Sequence, residues 1–107
     1  MIAVGDLVRT GQTVQFHVRD AASAHDDLVR LLALAHGTAQ PAGALVFTCN
    51  GRGSRLFAAP HHDARCLQES FGPLPAAGFF AQGEIGPIGR LNCLHGFTAS
   101  IALFERP

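Results

Sequence analysis

GALVFTCNGRGSRLF, residues 43 to 57, joins the most apolar run of the chain to a glycine-rich turn carrying a thiol, an amide and a guanidinium. Residues 44 to 48, ALVFT, show no polar alternation, which is the pattern of a strand covered on both faces. Downstream, PHHDARCLQESFG reads as a short helix, with Pro60 near its start, Ala64, Leu67 and Phe71 on one side and Gly72 beyond its end. AAGFFA, residues 76 to 81, repeats the pattern of a central strand. Strand, helix and strand in that order call for a right-handed crossover and two parallel strands.

Upstream, residues 2 to 9 and 13 to 19 flank TGQT, and Val14, Phe16 and Val18 alternate with Gln15, His17 and Arg19, so the two stretches are expected to form a hairpin. A helix then begins at Asp20 or Ser23, either of which can cap it. Leu28, Leu31, Leu32 and Ala35 form its apolar stripe, and Gly37 ends it. At the far end Phe97, Ala99, Ile101 and Leu103 alternate with polar or small residues in a closing strand. The expected fold is α+β: a single domain with a mixed sheet of about five strands, antiparallel at its edges, and two helices mainly on one face.

Composition agrees. The chain has 107 residues, 48% of them hydrophobic, which suits one domain with a core. All eight basic side chains are arginines spread along the sequence, and they balance eight carboxylates, so no basic patch points to nucleic acid. No apolar run approaches the roughly 18 residues of a membrane span, and Asp6 interrupts the N-terminus too early for a signal peptide. Three cysteines, Cys49, Cys66 and Cys93, cannot all pair and match no CxxC spacing, so a reducing, cytoplasmic setting is expected.

Chemistry concentrates at the ends of the two central strands, where open α/β sheets bind ligands. CNGRG, residues 49 to 53, and QGEIGPIG, residues 82 to 89, are expected to face each other as loops. Glycines at 51, 53, 83, 86 and 89 permit positive φ and close approach of the backbone. Arg52 offers a planar fork for a carboxylate and Glu84 an opposite charge for an ammonium, a pair suited to a zwitterion such as an amino acid. Equally, Arg52 and Glu84 can simply pair with each other and leave the glycines as turn chemistry. Neither GxGxxG nor GxxxxGK[ST] occurs, so a nucleotide site has no motif.

Taken together, GALVFTCNGRGSRLF, AAGFFAQGEIGPIG and LHGFTASIALF resemble three blocks of the carboxy-terminal half of FIST domains. The likeness is strongest from Gly43 to Phe104. It implies a sensory module of intracellular signal transduction, without catalytic activity or cofactor, that binds a small ligand such as an amino acid. By the same resemblance Cys49, Asn50, Arg52, Gly53, Gly83, Glu84, His95 and Thr98 are family-typical positions, and with Gly51 of the CNGRG turn they are the expected ligand-binding residues. FIST proteins usually carry a large N-terminal half, and residues 1 to 107 contain only the C-terminal-like domain.

Two other chemistries have weaker support in the sequence. Cys49 with His95 would make a nucleophile and base, but no third group orients them. Cys49, Cys93 and His95 fit no zinc-ligand spacing. His61 and His62 read as solvated, as do His17, His25 and His36, whereas His95 reads as a hydrogen-bonded, partly buried side chain. With both helices on one face of the sheet, Leu45, Phe47, Phe79 and Phe80 are left to cover. The expected partner is a second copy of the chain or the missing N-terminal FIST half, with no nucleic acid and no membrane.

Overall fold

The computed structural model describes residues 1 to 3, 5 to 37 and 41 to 105. Helix α1 (Ala21–His36), strand β1 (Pro41–Cys49), helix α2 (His62–Phe71) and strands β2 (Ala76–Ala81), β3 (Glu84–Ile88), β4 (Leu91–His95) and β5 (Ala99–Glu105) follow in that order. The fold is α+β, as expected. No helix among the described residues is long and apolar enough to cross a membrane.

Asp20 is the residue that caps α1: its carboxylate accepts from the Ser23 amide at 2.9 Å and from the Ser23 hydroxyl at 2.8 Å. Leu28 and Leu32 turn inward from α1, and Cys66 and fully buried Leu67 from α2. They close over Ala44 and Leu74, with Val46, Phe71, Ile101 and Leu103 packed alongside. Ala44 and Val46 share one face of β1, so both helices cover that face, as the period-2 geometry of a strand dictates. Leu31, expected in the α1 stripe, is instead exposed.

β1 is the central strand of a three-stranded sheet in the order β2-β1-β5. It runs parallel to β2, from Ala44 beside Ala76 to Cys49 beside Ala81, and α2 forms the crossover. It runs antiparallel to β5, from Thr48 beside Ala99 to Gly43 beside Phe104. Gly78 lies directly across from Val46, whose carbonyl occupies the space a β-carbon would need.

Three expectations change. Residues 5 to 20 lie outside any helix or strand, although TGQT does form a turn, with the Gln12 amide donating to the Arg9 carbonyl at 3.2 Å. Phe16 and Val18 stand 80% and 85% exposed. Their alternation signals a strand only where another strand pairs with it and something covers its apolar side, and a lone two-stranded hairpin is marginal in water. Val4, in the expected first strand, and Thr38 to Gln40, in the expected linker, are outside the described residues. Among the described residues no strand precedes α1, so the single parallel crossover is the one through α2. The QGEIGPIG segment is not a loop: Glu84 to Ile88 pairs with Leu91 to His95 in a separate two-stranded ribbon, so the strands divide between two sheets. Pro87 hid this strand, and a ribbon edge is where a proline is tolerated. Gly89, at φ 59°, turns the hairpin in two residues with Arg90.

Candidate functional site

At the carboxyl end of β1 the CNGRG turn is stitched to both neighbouring strands. The Cys49 amide donates to the Thr98 carbonyl at 2.9 Å and the Asn50 amide to the Ala81 carbonyl at 2.8 Å, while the Arg52 amide closes the turn on the Cys49 carbonyl at 2.8 Å. Cys49 is buried and Asn50 is exposed. Gly51 lies so close to the Phe97 ring that a β-carbon there would collide with it. The close approach read from this glycine is therefore taken by the chain's own phenyl ring. Phe97 itself adopts φ 61°, a conformation that non-glycine residues rarely take. The Arg19 guanidinium sits 4.1 Å over its ring. Gly53 lies beside the Phe80 ring.

Arg52 does not pair with Glu84. Its Nε and NH2 grip the Asp63 carboxylate at 2.9 and 2.8 Å, a bidentate pair with both side chains buried. NH1 reaches only the Phe97 carbonyl, at 3.5 Å. Burial alone would raise the Asp63 carboxyl, but hydrogen bonds from Arg52 and His62, with the Arg52 charge, outweigh it and hold the group below the ordinary carboxylate range. The reason for the changed partner is topological: α2 returns over the sheet with Asp63 in its first turn, directly beside the β1 turn, while Glu84 departs with the β3–β4 ribbon.

Glu84 is 2% exposed. Its Oε2 accepts from the Thr98 hydroxyl at 2.9 Å and from the Thr98 amide at 3.4 Å, while Oε1 has no hydrogen-bond partner among the described residues. Gly83, at φ 104°, makes the turn into β3 that brings Glu84 inward. Across the ribbon from Glu84, His95 is half-buried and its Nε2 bonds the Gly86 carbonyl at 3.0 Å. That matches the partly buried, hydrogen-bonded histidine expected from sequence.

Arg52, His95 and Thr98 thus border one groove of about 670 Å³ between α1 and β5, with Arg19, Ser23 and Asp27 on the helix side and Phe97 and Ser100 on the strand side. A smaller cavity of about 240 Å³ is lined by Thr48, Gly53, His62, Asp63, Phe79 and Phe80. Arg52 lines both.

The family model described as "FIST C domain" matches residues 1 to 87. This chain belongs to the FIST C domain family. It is 53% identical, over 96% of its length, to the uncharacterized protein Rv0628c of Mycobacterium tuberculosis (strain ATCC 25618 / H37Rv). It is 54% identical, again over 96% of its length, to the uncharacterized protein Mb0898c of Mycobacterium bovis (strain ATCC BAA-935 / AF2122/97). The FIST C chain spans 27% of the length of each of these relatives. Membership suggests a sensory, signal-transducing domain.

Among the described residues of this FIST C domain, Cys49, Cys93 and His95, which match no zinc-ligand spacing, are not gathered into a metal-sized cluster. The side chains that do meet are His25, His62 and Cys66. His62 is not solvated: it is half-buried, stacked on the Phe57 ring at 3.5 Å between centroids, and its Nδ1 lies 2.9 Å from Asp63 Oδ1. Burial, with repulsion from Glu69 and Asp63, pushes the Cys66 thiol above its ordinary value. Asp63, His62 and Cys66 carried a readable signal in the HDARC segment, where His62 and Cys66 are four apart and so share a helix face. Their meeting with Arg52 and His25 depends on long-range packing.

Proposed function

We propose that this FIST C domain is a small-ligand-binding sensory module of cytoplasmic signal transduction, and that its ligand is an amino acid or small carboxylate held in the groove between α1 and β5. The observation that carries this reading is the convergence of Arg52, His95 and Thr98 on one groove, with the Thr98 hydroxyl in turn donating to the buried Glu84 carboxylate. Arg52 spends Nε and NH2 on Asp63 and keeps NH1, with only a long contact to Phe97, for a ligand carboxylate. Glu84, behind Thr98, supplies the negative charge an ammonium group would seek. Cys49, Asn50, Gly51 and Gly53 form the turn that aims Arg52, and Gly83 sets the entry of β3.

The test is a thermal-shift screen of the chain against amino acids and small carboxylates, followed by calorimetry on any hit. Binding to the folded state alone raises the melting temperature. Ala24→Phe fills the groove from α1 and is expected to abolish both the shift and the heat. A hit that binds Ala24→Phe equally well would move the ligand elsewhere, and conversion of the ligand would replace the sensor with an enzyme.

A second reading, a protein-interaction module, is favoured by the uncovered apolar surface. Phe79 is 64% exposed, and Ile85, Ile88, Leu91 and Leu94 of the ribbon are exposed with it. The radius of gyration, 16.0 Å, exceeds the roughly 13 Å of a compact domain this long. The remaining FIST sequence of longer relatives or a second copy of the chain would cover such a surface. Sedimentation as a monomer at high concentration removes the second copy and leaves the first.

A further inference from the structure

We infer that His25, His62 and Cys66 form a binding site for a borderline-soft divalent transition metal of the Zn²⁺ class, clamping α1 to α2. His62 and Cys66 stand one turn apart on α2, and α1 lays His25 across them. His25 Nδ1 lies 3.0 Å from His62 Nε2, and the Cys66 sulfur lies 3.7 Å from the first nitrogen and 3.8 Å from the second. A tetrahedral zinc, with Zn–N of about 2.05 Å and Zn–S of about 2.3 Å, sets its nitrogens about 3.3 Å apart and each nitrogen about 3.6 Å from sulfur. The triad is within a few tenths of an ångström of that spacing.

The surroundings hold the ligands as a metal site requires. The His62 Nδ1–H donates to Asp63, which leaves Nε2 as the lone-pair nitrogen facing His25 and Cys66. Asp63 is in turn fixed by both nitrogens of the Arg52 fork, and Phe57 stacks on the imidazole. This is the carboxylate–histidine arrangement that orients metal-binding rings. A hydrogen bond between the two imidazoles would account for the nitrogen pair, but it does not call for a sulfur nearly equidistant from both. The donors are two imidazoles and a thiol with no oxygen among them, which excludes Ca²⁺ and Mg²⁺ as preferred ions. Three protein ligands leave one tetrahedral position for water or an exogenous donor.

The experiment uses the reduced, tag-free 107-residue chain, stripped with chelator and titrated with Co²⁺. The expected result is a near-ultraviolet thiolate-to-cobalt charge-transfer band with intense visible bands of tetrahedral type, saturating at one equivalent and bleached by Zn²⁺ but not by Mg²⁺. Cys66→Ser should remove the charge-transfer band, and Cys93→Ser should retain it. Cys66 is buried, so His25→Gln on the helix surface provides a second variant. It should keep the circular dichroism of the parent and weaken Co²⁺ binding by more than the 10- to 100-fold that even an outer partner carries. No thiolate band in the parent, or a band and affinity unchanged in folded His25→Gln, overturns the site.

Discussion

Removing either partner of the Arg52–Asp63 pair should be among the most damaging single changes in this chain, and removing both should be far milder. The two side chains are 6% and 5% exposed and share two hydrogen bonds of 2.9 and 2.8 Å. Leaving one charge buried and uncompensated costs about 3 to 5 kcal/mol, whereas apolar replacement of the whole pair is often neutral or stabilising. At an unfolding entropy of about 2.1 cal/mol/K per residue, 107 residues give about 0.22 kcal/mol/K, so either single loss corresponds to a fall in melting temperature of roughly 14 to 22 °C. The assay is a double-mutant cycle of Arg52→Met, Asp63→Leu and their combination, by urea unfolding at low temperature with chelator present. Each single change should lower the midpoint sharply, and the double variant should recover most of the loss, a coupling of several kcal/mol. Single variants within about 1 kcal/mol of the parent, or a double variant as poor as the sum of the two, would refute the reasoning. In that event the guanidinium is not a structural brace, and its whole weight would fall on ligand binding.

Gly78→Ala places a methyl group against the Val46 carbonyl and should force β1 and β2 apart, visible as loss of folded protein; Gly43→Ala, where the nearest backbone atom is 3.5 Å away, should be tolerated. Thr98→Val removes the hydroxyl bonded to buried Glu84 and should cost about 1.5 to 3 kcal/mol in denaturant unfolding, the worth of a hydrogen bond to a charged group. The amide and hydroxyl of Ser23 hold the Asp20 carboxyl below its ordinary value. A depressed folded value contributes stability above the unfolded value and loses it as pH falls through the folded one. Circular dichroism titrated below about pH 4 should therefore show α1 weakening in the parent and a flatter acid limb in Asp20→Asn, which keeps a cap without the charge.

Local chemistry by itself determined much of this protein. Asp20 and Gly37 bound α1, Gly72 follows α2, and the apolar runs at 44 to 48 and 76 to 81 become paired strands, because caps and periodicity act over a few residues. The sequence also carried the family resemblance and the partly buried state of His95. Only tertiary structure decided the rest. Whether Val14, Phe16 and Val18 become a strand depends on a pairing partner that alternation cannot supply. The β3–β4 ribbon needed the Gly89 turn to outweigh the warning of Pro87. Above all, the electrostatic partner of Arg52 is chosen by which carboxylate the crossover returns to the end of β1. That carboxylate is Asp63, eleven residues on, rather than Glu84, because a buried charge takes the nearest opposite charge that packing can hold still.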